Sequence, residues 1–417
     1  MNILSICLAI FLSFFLLLAP RRFILFPFIM AACFVPMNQQ LVVLGLNFSI
    51  LRILLVVGIL RLMMRGETRV VQWNTFDKLI LKWVIIGSLV YIAQQVSLSA
   101  VIYKFGVMLD SLGIYWLFRH IIYEWEDVFQ SVKFFAVFAI VTAPFIALEK
   151  FQETSFFSIF GPTLGQFHRG RYRAAGPFPH FIIMGCFWAS LLPFFYARIK
   201  INKDKPLYRV AIFSVLSSVY FSASSTPFVT VIAIFLFWNI YSLRMYGKTL
   251  FWMTCCGLFL LHMIMKAPLW HLMARGAFFS GSTNWYRYFL FDEFVKHTSE
   301  WFFLGTKSTA HWGAGLTDIT NQFVLEAVRG GILTLVIFIM VVYCAVKIPG
   351  KFSLGPVTPE AQWMSWGICV AMLGHFVTFW GVSYFGQINM LLYFTFALVG
   401  FTLEQSTDKS LAITSPR

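Results

Sequence analysis

The chain has 417 residues, 59% of them hydrophobic and 12% charged, with a formal net charge of +15. A soluble domain carries roughly 25% charged residues, so a water-soluble globular protein is excluded. Lipid tolerates only helices and closed barrels, and the apolar runs here are continuous rather than alternating, which points to a polytopic all-α membrane protein. In chain order the runs expected to span are residues 3–19, 23–37, 43–62, 79–96, 100–118, 132–149, 179–197, 209–223, 227–243, 249–264, 331–346, 363–380 and 386–403, about thirteen crossings at roughly 20 residues each. The first lacks basic residues ahead of its apolar core and a small-residue cleavage site. It reads as a retained span and not as a signal peptide.

Basic residues gather in the short links: Arg21-Arg22, Arg61/Arg65/Arg69/Lys78, Arg198/Lys200/Lys203/Lys205/Arg209, Arg244/Lys248 and Lys347/Lys351. Placing Arg21-Arg22 in the cytoplasm puts all five clusters there by alternation. The positive-inside rule thus accounts for the charge, and no nucleic-acid partner is expected. All seven cysteines (Cys7, Cys33, Cys186, Cys255, Cys256, Cys344, Cys369) lie in apolar runs without ligand-like neighbours, so neither a disulfide framework nor a metal or cofactor site is expected. The chain reads as one membrane domain, residues 1–417, with external loops at about 150–178 and 265–330.

Those two loops carry nearly all the external positive charge: Lys150, Arg169, Arg171, Arg173, Lys266, Arg275, Arg287, Lys296, Lys307 and Arg329. Long loops cross whatever their charge, but an anionic ligand at the outer face also accounts for such a set. In "RGRYRAAGPFPHFIIMG", residues 169–185, Pro177 and Pro179 end one element and start another. The new helix would aim free N–H groups at residues 171–176, a ready anion site. Gly176 would allow close approach, and the arginines would add bidentate donors suited to phosphate. The plainer reading is arginines snorkelling to headgroups.

In the second loop Ser282, Thr283 or Asn284 is placed to cap a helix to about residue 297, with Arg287, Asp292, Glu293 and Lys296 among its aromatics. A polar, glycine-bearing connector spans 305–317, and Asp318 or Thr320 is placed to cap a helix entering the membrane at Gly330-Gly331. Trp285, Tyr286, Trp301 and Trp312 suit either sugar stacking or an aromatic belt. Arg52, inside the run 41–62, either lies near the outer face beside the anion or is buried and paired. The outer-face position is the expected one.

"RYRAAGPFPH" leading into a span, with a later "WYR…FFLGTK…DITNQFVLEAVRGG", resembles the O-antigen ligase and Wzy-type O-antigen polymerase superfamily of bacterial inner-membrane proteins. The likeness covers about residues 40–400 in topology and these two loops in motif. It implies a GT-C-like helical fold with about 11–13 spans. The implied activity is transfer of a glycan from undecaprenyl diphosphate to an acceptor sugar hydroxyl at the periplasmic face, with no metal or cofactor. Implied partners are the lipid-linked glycan, an acceptor glycan, membrane lipid and a chain-length regulator protein. In that family arginines of the two external loops hold the diphosphate, which corresponds here to Arg171 or Arg173 and to Arg287.

Two departures stand out. Thr320-Asn321 occupies the place where ligases carry His-Asn, and "SASSTPFV" from residue 222 replaces a Ser-Arg step. The missing histidine favours a surface-polysaccharide polymerase over a ligase. The expected catalytic set is Arg173, Arg287, His311 and Asp318, with Arg52, Arg169, Arg171, His180, Tyr286, Asn321 and Glu326 on the substrate. His180, His311, Asp318 and Glu326 are the candidate bases for the acceptor hydroxyl. The rival reading is a transporter or flippase, for which Arg52, Lys104, Asp110, His262 and His375 would be the intramembrane ionisable groups. No inverted repeat of the transporter kind is seen in the sequence.

Overall fold

A computed structural model describes residues 1–43, 46–68, 71–163, 165–168, 170–201, 204–272 and 284–414. In order these form α1 (Ile3–Leu18), α2 (Leu25–Phe34), a hairpin of β1 (Gln40–Val43) and β2 (Leu46–Ser49), α3 (Ile50–Arg65), α4 (Thr75–Gln95), α5 (Leu98–Met108), α6 (Ile114–Ile121) and α7 (Trp125–Gln152). A second hairpin follows, β3 (Gln166–His168) with β4 (Arg171–Arg173), and then α8 (Phe181–Ala189), α9 (Leu192–Lys200), α10 (Lys205–Phe221), α11 (Ser225–Asn239) and α12 (Gly247–Ile264). The chain closes with α13 (Asn284–Lys296), α14 (Thr298–Trp301), α15 (Gln322–Phe352), α16 (Pro359–Phe379) and α17 (Gln387–Thr414). Six helical segments are long and apolar enough to cross a membrane: Leu98–Ile121, Trp125–Gln152, Phe181–Lys200, Ser225–Ile264, Gln322–Phe352 and Gln387–Thr407. The molecule is an all-α, multi-pass membrane protein.

Several starts are written locally. Asn74 and Asp77 form a reciprocal capping box on α4, Ser49 accepts the Arg52 N–H on α3, and Thr358 with Pro359 opens α16. Such caps satisfy N–H groups that the helix cannot pair itself. Contacts then sort the helix ends into two groups. At one end Asn2 N–H donates to Gln39 (2.7 Å), Ser5 Oγ to the Phe160 carbonyl (2.5 Å), Gln94 Nε2 to the Leu304 carbonyl (3.0 Å), and Gln387 Nε2 to the carbonyls of Val35 (3.2 Å) and Pro177 (2.9 Å). At the other, Arg61 Nη1 donates to the Ala19 carbonyl (2.7 Å), Arg21 pairs with Asp127 (3.2 Å), and Arg119 bridges Asp77 (2.9 Å) and Glu404 (3.2 Å). Successive spans therefore alternate in direction, with α5–α6 and α8–α9 each forming one span, and parts of both long loops meet at the first end.

The run 179–197 is two helices, broken at Ser190 and Leu191. The stretch Ser225–Ile264 is two helices joined by a 3-10 segment, Ile240–Tyr246. Tyr241 stacks on Trp363 near the start of α16, whereas Trp270, just beyond α12, reaches Asp292 of α13 (2.9 Å). These contacts make α11 and α12 run in opposite directions. Gly331 (φ +67°) kinks α15, and a Cβ there would lie 2.1 Å from the Phe303 carbonyl oxygen. That close approach lets Ile332 N–H donate to the Phe302 carbonyl (2.7 Å) and Thr306 N–H to the Val328 carbonyl (2.8 Å), docking the second loop on α15.

The second loop has its own apolar centre, in which Leu290, Phe294, Trp301, Trp312 and Leu316 pack on Val324 and Val328. Trp301 and Trp312 are buried there and offer no face to a sugar, whereas Trp285 is 63% exposed.

Candidate functional site

A cavity of about 370 Å³ opens where the two long loops meet. From the first loop come Gln166, Arg173, His180 and the first residues of α8; from the second come Tyr286, Arg287, Gly315, Asp318 and Thr320. Two walls have no counterpart in the expected site. One is Ala223, Ser224 and Ser225 at the start of α11, and the other is Gly381, Val382, Ser383 and Phe385 in the link between α16 and α17.

Arg287 projects from the first turn of α13 and is buried to 9% exposure. Its Nη2 donates to Thr226 Oγ1 at 2.8 Å and its Nε to the Gly381 carbonyl at 3.0 Å, so it ties the second loop to both unexpected walls. Burial pulls its guanidinium down to about 10, still a full cation at neutral pH. Arg173 ends β4 and lies 4.7 Å from the Phe181 ring centroid, a cation–π contact that holds it over the start of α8.

Glu149, at the end of α7, fixes the segment after Arg173. Its carboxylate is fully buried and accepts from Ser155 Oγ (2.7 Å), Ala175 N–H (2.8 Å) and Gly176 N–H (3.1 Å). Gly176 takes φ +58° to complete this turn. The backbone at Gly176, expected to allow close approach of an anion, thus gives its N–H, with that of Ala175, to Glu149.

His180 is the N-cap of α8: its Nδ1 accepts the Ile182 N–H at 3.2 Å. Burial, with the charge of Arg173 beside it, lowers its pKa to about 4. The ring is therefore neutral with its proton on Nε2, a hydrogen-bond donor toward the cavity and not a general base. Tyr286 Oη reaches the carbonyls of Gly315 (2.9 Å) and Asp318, pinning the connector across the cavity mouth. Burial and the Asp318 carboxylate raise Tyr286 to about 12, so it remains a donor.

Of the expected residues, Arg173, Arg287, Asp318, His180 and Tyr286 come together in the cavity. The others among the described residues do not line it. Arg171 is exposed on the hairpin, opposite His168 in register, and Arg169 lies outside the described residues. Arg52 is held in a two-point pair with Asp110 (Nε–Oδ1 2.8 Å, Nη2–Oδ2 2.5 Å) and is not beside the anion site, because a largely buried guanidinium takes the nearest carboxylate. His311 is spent on Glu300 (2.7 Å) on the outer surface of the second loop.

Asn321, and not Asp318 or Thr320, caps α15: its Oδ1 accepts Phe323 and Val324 N–H. Of the caps placed on α13, Ser282 and Thr283 lie outside the described residues. Glu326 accepts from Trp83 Nε1 (3.0 Å) and Gln322 Nε2 (2.7 Å). Gln322 in turn accepts the Tyr384 N–H (2.8 Å), so Glu326 supports the 381–385 wall from behind. No cluster of His, Cys, Asp or Glu among the described residues has the arrangement of a metal site.

The chemistry of the cavity is that of an anion site with an apolar flank. Two guanidiniums converge on it, and the N-termini of α8 and α11 both open there, where partial positive charge gathers. Phe181, Ile182, Val382 and Phe385 supply the apolar side. No protein-family model matches the chain, and no curated protein matches it.

Proposed function

We propose that the protein is a bacterial inner-membrane glycosyltransferase of GT-C-like architecture that moves a glycan from undecaprenyl diphosphate to an acceptor sugar hydroxyl. The carrying observation is that Arg173 of the first loop and Arg287 of the second line one cavity, over the starts of α8 and α11. A sugar diphosphate needs that provision, because negative charge grows on the leaving oxygen as the anomeric bond breaks. The apolar flank suits an isoprenoid chain. Alternation of the helices fits about thirteen crossings, with the cavity on the periplasmic side.

In this reading the acceptor oxygen attacks the anomeric carbon and the bond from that carbon to the diphosphate oxygen breaks. The hydroxyl proton passes to Asp318, the carboxylate at the cavity, and the diphosphate stays on Arg173 and Arg287. Repeated transfer onto a growing chain makes the enzyme a surface-polysaccharide polymerase, the reading favoured by Thr320 at the ligase histidine position. Purified protein in liposomes, given undecaprenyl-diphosphate-linked repeat units, should release undecaprenyl diphosphate and build a ladder of polymer. Transfer only to a lipid A-core acceptor would make it a ligase. Movement of the lipid-linked glycan between leaflets with no new glycosidic bond would make it a flippase and defeat the proposal.

A further inference from the structure

Lys104 sits in α5, six residues after Leu98, about 9 Å along the helix at 1.5 Å per residue. Its side chain is only 8% exposed. Among the described residues its Nζ makes no hydrogen bond or ion pair, and it lies 4.5 Å from the centroid of the Tyr91 ring. Charges inside a membrane protein are ordinarily paired. Two of the other buried cations hold carboxylates: Arg61 pairs with Glu67 at 2.9 Å, and Arg119 with Asp77 and Glu404; Arg198 and Arg287 instead donate to hydroxyl oxygens, of Tyr208 and Thr226. Lys104 departs from the rule.

The charges it faces are Glu326 and Arg329 of α15. Glu326 is already engaged by Trp83 and Gln322. Arg329 is a second cation, and its Nη1 lies 3.4 Å from Tyr103 Oη. The Tyr103 ring is 5.8 Å from that of Tyr91, so two cations flank one pair of tyrosines. With Glu326 ionised the cluster still carries a net charge of +1. It lies at the end of the bundle that carries the cavity, but none of these residues lines the cavity. Beside it α5 turns outward an apolar strip, with Leu98 75%, Val101 42% and Phe105 57% exposed.

A lysine and an arginine at headgroup depth above an apolar strip match a lipid phosphate and its acyl chain, with lysine acting as a point charge and arginine as a fork. We propose that Lys104, Arg329, Tyr91 and Tyr103 bind the phosphate of an anionic phospholipid at a site separate from the cavity. This site stands whether or not the transferase reading does.

The test is thermal unfolding of the purified full-length protein with added phosphatidylglycerol, phosphatidylcholine or inorganic phosphate. Phosphatidylglycerol should raise Tm by about 3 °C, the scale set by ligand linkage for a protein of this size, and the other two by much less. Lys104→Met and Arg329→Gln should each lose at least half of that shift. If Lys104→Met does not fold, Arg329→Gln, altered at a half-buried position, decides alone. An equal shift in wild type and Arg329→Gln overturns the site, as does no shift in wild type. Equal shifts from inorganic phosphate or phosphatidylcholine overturn an anionic lipid as its occupant.

Discussion

Arg287 Nη2 donates to Thr226 Oγ1 at 2.8 Å, joining the second external loop to the first turn of α11. The guanidinium is thereby aimed at the cavity by a hydroxyl on another helix, with its Nε set on the Gly381 carbonyl. Lysine keeps the charge at this position but cannot make both bonds. A hydrogen bond to a charged group contributes roughly 1.5–3 kcal/mol, so Arg287→Lys and Arg173→Lys should each slow transfer by about ten- to a hundred-fold, and Arg287→Ala by more. Thr226→Val, which removes only the aiming hydroxyl, should cost about ten-fold. Single-turnover release of undecaprenyl diphosphate at matched protein levels measures all four. Near-wild-type rates in both lysine variants would return the arginines to the role of headgroup anchors.

Arg52 behaves differently, because Asp110 already holds it. Its side chain is 12% exposed and that of Asp110 is 41% exposed. Removing one partner of a sealed pair costs about 3–5 kcal/mol. Here water reaches the carboxylate, and Asp110→Ala should cost about 2 kcal/mol in unfolding experiments. The double variant Arg52→Met/Asp110→Leu should regain most of that loss. Transfer by Arg52→Lys should stay within about two-fold of wild type. A hundred-fold loss of transfer in Arg52→Lys, with unchanged stability, would put Arg52 back on the substrate.

His180 gives the protein a pH dependence of definite sign. Its pKa is lowered to about 4 in the folded chain, against about 6.5 when unfolded. The unfolded state therefore binds the proton first, and the stabilisation, complete above pH 6.5, is lost as pH falls through the window from 6.5 to 4. His180→Asn keeps a good N-cap without a titrating ring. Its Tm should fall less between pH 7 and 4.5 than that of wild type. Parallel profiles for the two proteins would show that His180 does not titrate in this window.

Much of the fold was legible because lipid imposes a simple code: continuous apolar runs, with basic residues in the short links. Arg173 and Arg287 were legible for a related reason, since they break that charge pattern. What stayed hidden depends on packing between residues far apart in the chain. Asp110 lies 58 positions from the Arg52 it pairs, and Glu149 lies 26 from the Ala175 amide it holds. Neither spacing has a periodic signature. Ser224, Ser225 and Thr226 could have been found as a serine-rich helix start between two apolar runs, but nothing local says which loop faces them. The helix-cap sites of α15 also misled: Asp318, Thr320 and Asn321 all suit a cap, and only the observed backbone turn selects Asn321.

The threading itself can be tested with single cysteines at exposed positions. Gly165 and Gly305 are unsuitable, because a Cβ would lie 1.7 Å from Tyr172 Oη and 2.2 Å from the Val328 carbonyl oxygen. Ser158 and Lys307 are exposed in the first and second loops, at the end of the bundle that carries the cavity, whereas Lys351 is exposed at the opposite end of α15. In intact spheroplasts an impermeant maleimide should label Ser158→Cys and Lys307→Cys above the background of the native cysteines. Lys351→Cys should react only after the membrane is opened. The two loop positions must agree with each other whichever way the protein is inserted, since their segments meet at one cavity. Labelling of one without the other would break the alternation of the helices. Labelling of Lys351→Cys alone would keep the fold but place the cavity, and any transfer it performs, on the cytoplasmic side.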